Sequence, residues 1–458
     1  MKMLLVALGC VAVLGCAAGP ERPADVILVT LDTTRADHLG VYGYARDTSP
    51  TIDRFAKEAV TFQRAWAAGA WTLPTHASMF TGKHVSSHGA RFDRRAPNVA
   101  LSEVLEGEFF EKHEASRLPE EEVTLAELLA LRGYATAAFT GGPWMAPPFG
   151  LMQGYARVDS DVSVVGGRAA RDLTDRAIEW LESVPRERPL HLLVNYFDPH
   201  SPYDPPEGFD DLPGARIPLD PEQDEIFVNG GRPLTERQRV AMIDRYDGEI
   251  RYMDDQLGRL LESLRRLGRY DAALIIVVAD HGELFGEHGV VGHGRWLYEG
   301  VLRIPLLVRR PGGASGGTVE TAPVSQVDLL PMIAAELSLP LHAGVEGVPI
   351  GSRDSLLAEA FSDPFSVGVY GDRYDRDLVA LVRWPWKLIR SSRGESQVFD
   401  LRGDPSERDS LDAPDVVAPL LRALTEAVAG LAPREELRPP SDVTPELRQR
   451  LRELGYIE

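Results

Sequence analysis

Two runs of apolar, mostly β-branched residues, Asp25–Leu31 (DVILVTL) and Leu274–Ala279 (LIIVVA), are each followed at once by an aspartate, Asp32 and Asp280. A run with so little polar alternation suits a strand buried on both faces, the kind that builds parallel sheets. Comparable runs span Ala135–Thr140 and His191–Phe197. Between them lie helical stripes. Leu173, Ala177, Trp180, Leu181 and Val184 form one, and Ile243, Tyr246, Ile250, Met253, Leu257, Leu260 and Leu264 form a longer one. Strands alternating with helices predict an α/β fold with a mostly parallel sheet sandwiched by helices. Ligands in such sheets bind beyond the carboxyl ends of the strands, where Asp32 and Asp280 stand.

The 458 residues suffice for one large α/β domain, expected over residues 25–350, and a smaller unit. Past Gly351, Val379–Arg383, Trp386–Ile389 and Gln397–Leu401 predict antiparallel strands, and Val416–Leu431 predicts a helix, which together make a small α+β subdomain over residues 351–431. Residues 432–458 read as a linker and a short terminal helix. Ser102–Glu122 is acidic and weakly patterned, as in a surface insertion, and Tyr203–Arg232, rich in Pro, Gly and Asp, predicts a long loop. The opening segment MKMLLVALGCVAVLGCAAG has a lysine, an apolar run and small residues, the build of an export signal. Val13 to Cys16 (VLGC) resembles a lipobox, which makes Cys16 the expected lipidation site and 1–16 a signal peptide. An ordinary cleaved signal is the alternative. The chain is then expected to be exported to the cell envelope and anchored to a membrane by an N-terminal lipid. Its only cysteines lie in this segment, so the body has no disulfide or thiolate metal site. A net charge of −20 disfavours nucleic acid as a partner.

The stretch WTLPTHASMFTG (71–82) predicts a short helix with Pro74 in its first turn, Gly82 at its end and Thr72 just before its N-terminus. Thr72 reads either as a helix cap or as a nucleophile, because helix N-terminal N–H groups and a metal ion would both stabilise an alkoxide. Two strand-end carboxylates, the adjacent His281 and a hydroxyl form an oxygen and imidazole donor set suited to one divalent ion, Zn²⁺, Mn²⁺ or Ca²⁺.

The ordered motifs DTTRADHLGVYGY, TLPTHASMFTG, YFDPHSPYDPP, YDGEIRYMDDQLGRL, VADHGELFGEHG, IPLLVRRPG, SQVDLLP and VFDLRGDPSE, spread from Asp25 to Leu431, resemble the sulfatase family of the alkaline phosphatase superfamily. The resemblance implies a mixed, mostly parallel sheet. It implies Asp32, Asp280 and His281 as metal ligands, joined by Thr72 at the nucleophile position. His200 in DPHSPY matches a histidine that contacts the substrate ester, and His293 in GHG stands where many members carry an anion-binding lysine. His76, Thr140 and His288 are further candidates for substrate contact.

The sequence also departs from that family. Sulfatases of the usual kind oxidise a Cys or Ser within CxPxR to formylglycine. Here the position is Thr72, which cannot yield that aldehyde, and His76 replaces the arginine. Thr33 follows Asp32 where a second acid is common, and GYATAAFTGG (133–142) lacks the usual lysine and histidine. The retained set resembles the single-metal site of threonine-dependent phosphoethanolamine and glycerophosphate transferases. Phospho-threonine turns over readily, whereas sulfo-threonine is stable, so the expected substrate is a small anionic phosphoester or phosphonate ester, lipid- or glycan-linked. A sulfuric ester hydrolase working without formylglycine, and an inactive anion-binding surface lipoprotein, are the alternatives.

Overall fold

The computed structural model describes residues 22–94, 96–106, 111–160, 169–218 and 228–431. The signal segment expected to end at Cys16, and the linker and terminal helix expected over 432–458, lie outside the described residues. Among the described residues no helix is long and apolar enough to cross a membrane.

An eight-stranded sheet forms the centre, in the order Val319–Glu320, Val60–Phe62, Leu306–Arg309, Leu274–Ala279, Val26–Leu31, Leu190–Tyr196, Ala135–Thr140 and Arg157–Asp159. Leu306–Arg309 runs antiparallel to both neighbours, and the other pairings are parallel, so the sheet is mixed and mostly parallel. The four apolar runs are its four central parallel strands, and every residue of each is buried.

Alternation along the strands assigns the two faces. Thr30 and Asn195 are register partners, and their side chains point at the helix Thr72–Thr81, through His76. Tyr196, the next residue, points the other way and hydrogen-bonds Thr174 of the helix Ala170–Ser183 at 2.8 Å. That helix packs against Glu236–Arg266, the long stripe, so both faces are covered.

Beyond this sheet, Leu356–Ala360, Leu378–Arg383, Trp386–Ser391 and Ser396–Asp400 form an antiparallel sheet, followed by the helix Pro414–Ala429. Leu356, Ala358 and Ala360 join the main core, whereas Leu357, Leu381, Leu388 and Val398 pack with Leu420 and Leu424 of the helix. This sheet therefore shares one face with the catalytic body. The acidic Ser102–Glu122 segment corrects the expectation of a surface insertion: it buries Leu105, Ala115 and Leu118 in the main core, and Glu122 pairs with Lys83 at 2.7 Å.

Candidate active site

The parallel register builds the site. Leu31 and Ala279 are paired partners on adjacent strands, so the next residue of each, Asp32 and Asp280, emerge side by side at the carboxyl edge. The Asp32 N–H donates to the Tyr196 carbonyl at 3.0 Å, and that of Asp280 to the Leu31 carbonyl at 3.4 Å. Asp280 Oδ1 accepts from the backbone N–H groups of His281 (2.7 Å) and Thr33 (3.2 Å), which leaves Oδ2 facing inward. His281 Nδ1 donates to the Gly282 carbonyl at 3.0 Å, which fixes the tautomer and leaves Nε2 as an acceptor. Nε2 lies 3.4 Å from Asp280 Oδ2 and 3.8 Å from Asp32 Oδ1.

One ligand atom from each of these three buried residues lies within 4.8 Å of the others. Both Asp32 oxygens and Asp280 Oδ2 are buried without a hydrogen-bond partner among the described residues. Burial, then the neighbouring Asp280 and Glu283, hold the Asp32 carboxyl well above its ordinary range; burial pushes Asp280 up to about 6 and His281 down to about 3. Native proteins rarely leave buried carboxylate oxygens unsatisfied, and a divalent cation satisfies these at a stroke. The donor set fits the implied metal.

Thr72 faces this group. It is the first residue of its helix, not the residue before it, and its Oγ1 lies 3.5 Å from His281 Nε2. The helix has Trp71 as its N-cap, with no side-chain cap bond. Capping therefore does not explain the hydroxyl, which corrects that reading. Gly82 ends the helix with φ 66°, as expected.

Thr33, where a second acid is common, makes a structural contact instead. Its hydroxyl donates to the Pro199 carbonyl at 3.1 Å and so ties the His200 loop to the Asp32 turn. Thr33 itself has φ 49°, costly for a branched residue, and is held there by Tyr246, whose hydroxyl donates to the Thr33 carbonyl and accepts from Arg35 N–H, both at 2.8 Å.

His200 and His293 come together here, their ring centroids 5.0 Å apart, and His293 lies 4.4 Å from His281. His200 stacks on Phe197, and its Nδ1 donates to the Ser201 carbonyl at 2.6 Å; burial and then His293 push it down to about 4. Thr140 ends its strand in register with Asn195, fully buried, with its hydroxyl unpartnered among the described residues.

Two expectations are corrected. His76 is fully buried, with Nδ1 donating to the Thr72 carbonyl (2.9 Å) and Nε2 accepting from the Thr30 hydroxyl (3.0 Å). It braces Thr72 from behind and has no ring nitrogen left for substrate. His288 is not part of the cluster: it is exposed and stacks on Tyr298, 3.6 Å between centroids.

Sequence reasoning missed Glu283. It is fully buried; Oε1 lies 3.1 Å from His293 Nδ1, and Oε2 accepts from the Tyr203 hydroxyl at 2.9 Å. The signal was present, since Glu283 follows His281 by two residues in ADHGE and Tyr203 lies in DPHSPY.

With this geometry in hand, comparisons with known proteins are specific. The family described as Sulfatase matches residues 24–337. An arylsulfatase of Clostridium perfringens is 22% identical over 449 residues, covering 84% of this chain and 90% of its own. An N-acetylglucosamine-6-O-sulfatase of Bacteroides thetaiotaomicron is 22% identical over 517 residues, covering 89% and 86%. The crystal structure of a phosphonate monoester hydrolase of Agrobacterium radiobacter superposes with a TM-score of 0.65 at 21% identity, covering 90% of this chain and 95% of that one. The chain belongs to the sulfatase family, and so to the hydrolases of the alkaline phosphatase superfamily.

Proposed function

We propose that the protein hydrolyses or transfers phosphoester or phosphonate ester groups, with Thr72 as the nucleophile. The observation that carries this is a hydroxyl at a helix N-terminus, doing no capping work, set against unsatisfied carboxylates and an unprotonated imidazole nitrogen. Asp32, Asp280, His281 and Thr72 would hold one divalent ion, which supplies the positive charge that acidifies the hydroxyl and draws electrons from the ester.

The remaining steps belong to the chain. Thr72 loses its proton to solvent, and Oγ attacks phosphorus as the bond to the alcohol oxygen breaks. The Thr72 and Leu73 N–H groups, ahead of Pro74 at the start of the helix, stabilise the developing charge. The leaving oxygen takes a proton from His293, whose ring Glu283 orients through Nδ1. Water, or an acceptor alcohol, then attacks phosphorus and gives a proton back to His293. The Oγ–P bond breaks, and Thr72 Oγ takes a proton back from solvent to restore its hydroxyl. His200, with Nδ1 committed to Ser201, offers Nε2 as an acceptor that orients this second nucleophile. A phosphonate monoester hydrolase among the similar folds supports phosphorus chemistry on this scaffold.

The sulfatase relatives support a second reading, sulfuric ester hydrolysis without formylglycine. Nitrophenyl sulfate, phosphate, phosphate diester and phosphonate ester, assayed with added Zn²⁺, Mn²⁺ and Ca²⁺, separate the two. Turnover of phosphorus esters supports the proposal. Turnover of sulfate alone replaces it with the second reading, and hydrolysis of none leaves an anion-binding protein. Lipid anchoring through Cys16 belongs to the same proposal, and a Cys16→Ser variant that stays in the membrane fraction would contradict it.

A further inference from the structure

A buried lysine joins the C-terminal antiparallel sheet to the loop behind the active site. Lys387, on the strand Trp386–Ser391, is fully buried. It is in register with Val382 and Phe399, both of the main core, so its side chain leaves the sheet on the face turned to the catalytic body. Its ammonium lies 2.9 Å from Glu299 Oε1 and 2.8 Å from Glu407 Oε1. Glu299 opens the short helix Glu299–Leu302 and is held twice more: its N–H donates to Glu407 Oε2, and its carboxylate accepts from the Trp66 indole at 2.9 Å. That helix carries the carbonyls on which Glu283 is mounted. Gly300 accepts from the Glu283 N–H at 2.9 Å, and Val301 from the Gly282 N–H at 2.7 Å. The packing is tight, since a Cβ on Gly282 would come within 2.1 Å of the Gly300 carbonyl oxygen. Glu283 in turn meets His293 Nδ1 at 3.1 Å. One line of contacts therefore runs from Lys387 through Glu299, the Gly300 carbonyl and Glu283 to the His293 imidazole.

We infer that Lys387 is a positioning residue: it fixes the helix Glu299–Leu302, and through it Glu283, so that His293 meets the leaving oxygen. A buried ion pair is a poor source of stability, because apolar side chains of similar volume often serve as well. What the charge adds is direction. An ammonium shared by two buried carboxylates specifies one placement of Glu299, whereas an apolar side chain tolerates several. Proton donation is sensitive to that placement, because the proton passes only within hydrogen-bond reach. This inference rests on the ester-cleaving reading with His293 as proton donor, so one arm of its test needs no turnover.

Wild type, Lys387→Met, and Lys387→Met combined with Glu407→Gln are compared as metal-loaded full-length protein. The combined variant removes a carboxylate that Lys387→Met leaves buried without its cation and keeps an acceptor for the Glu299 N–H, so it serves where the single variant does not fold. Amide hydrogen exchange, read by mass spectrometry, is expected to be about tenfold faster at Gly282 and Glu283 in both variants, with the central strand Val26–Leu31 unchanged. At saturating metal, kcat on the phenyl ester of the acid that the panel identifies falls about tenfold and KM moves less than about twofold, while kcat on the nitrophenyl ester, whose leaving oxygen needs no proton, is preserved. Unchanged exchange at Gly282 and Glu283, loss of the bound ion, or equal loss of kcat on both esters overturns the inference. Faster exchange at these two amides in a protein that hydrolyses no ester would instead defeat the ester-cleaving reading and leave Lys387 as the residue that positions Glu283.

Discussion

At the scale of single residues, the site centres on carboxylate oxygens that have no hydrogen-bond partner among the described residues. Asp280 divides its labour: Oδ1 is held by two backbone N–H groups, and Oδ2 has no hydrogen-bond partner among the described residues. Asp280→Asn keeps an oxygen for the first task and removes the charge needed for the second. Metal analysis of this variant should show loss of the approximately one bound ion, an affinity drop greater than the roughly 10- to 100-fold of losing an outer partner. With chelator present the same variant should melt no lower than wild type, because it relieves repulsion between two buried carboxylates. Full metal content in Asp280→Asn would contradict the ligand assignment. The meeting of Asp32, Asp280 and His281 was readable because they follow two apolar strands, whereas Thr72 was placed by the motif it lies in. His76 and His288 were not readable, since a histidine in a motif looks the same whether its nitrogens face a cavity, a carbonyl or a tyrosine ring.

At the scale of elements, the long helix Glu236–Arg266 holds the turn after Asp32 in place. Tyr246 reaches from it to satisfy both the Thr33 carbonyl and the Arg35 N–H. Tyr246→Phe leaves both groups buried and unpaired, which should cost about 1–3 kcal/mol in chemical denaturation and weaken metal binding as Thr33 relaxes from its strained φ. An unchanged denaturation midpoint would show that the turn does not depend on the helix. The four central strands and both long helices were legible because their apolar periods are unbroken. The strand Leu356–Ala360 was not: LLAEA has weak strand propensity, and its Glu359 is buried by a tertiary contact, accepting from the Ser86 N–H at 2.9 Å. The short strands Val60–Phe62 and Arg157–Asp159 likewise exist only because the sheet supplies their partners.

At the scale of the whole molecule, buried histidines and buried carboxylates pull the response to acid in opposite directions. His191 is fully buried between strands; Nδ1 donates to the Val26 carbonyl at 3.1 Å, Nε2 accepts from the Tyr155 hydroxyl at 3.0 Å, and burial pushes it down to about 4. The unfolded chain, with an ordinary value near 6.5, takes up the proton first. Stability from this group is therefore complete above about pH 6.5 and is lost as pH falls toward 4, by up to about 1.4 kcal/mol per pH unit. His84, pushed down to about 3, and His342, down to about 4, act in the same direction, whereas Asp254 and Glu127, raised to about 7 by burial, act in the opposite one. Comparing urea midpoints from pH 7 to 5, in chelator, isolates one group: His191→Asn should have a flatter acid slope than wild type, and an identical slope would refute the assignment. The central claim, that the family's nucleophile position is filled here by an unmodified threonine that attacks phosphorus, is tested most directly by acid-quenching the enzyme during turnover of an aryl phosphate and weighing its peptides. The expected result is one phosphoryl group on Thr72 in wild type and none in Thr72→Ala, which also loses turnover; turnover with Thr72 unmodified, or undiminished in Thr72→Ala, would contradict it.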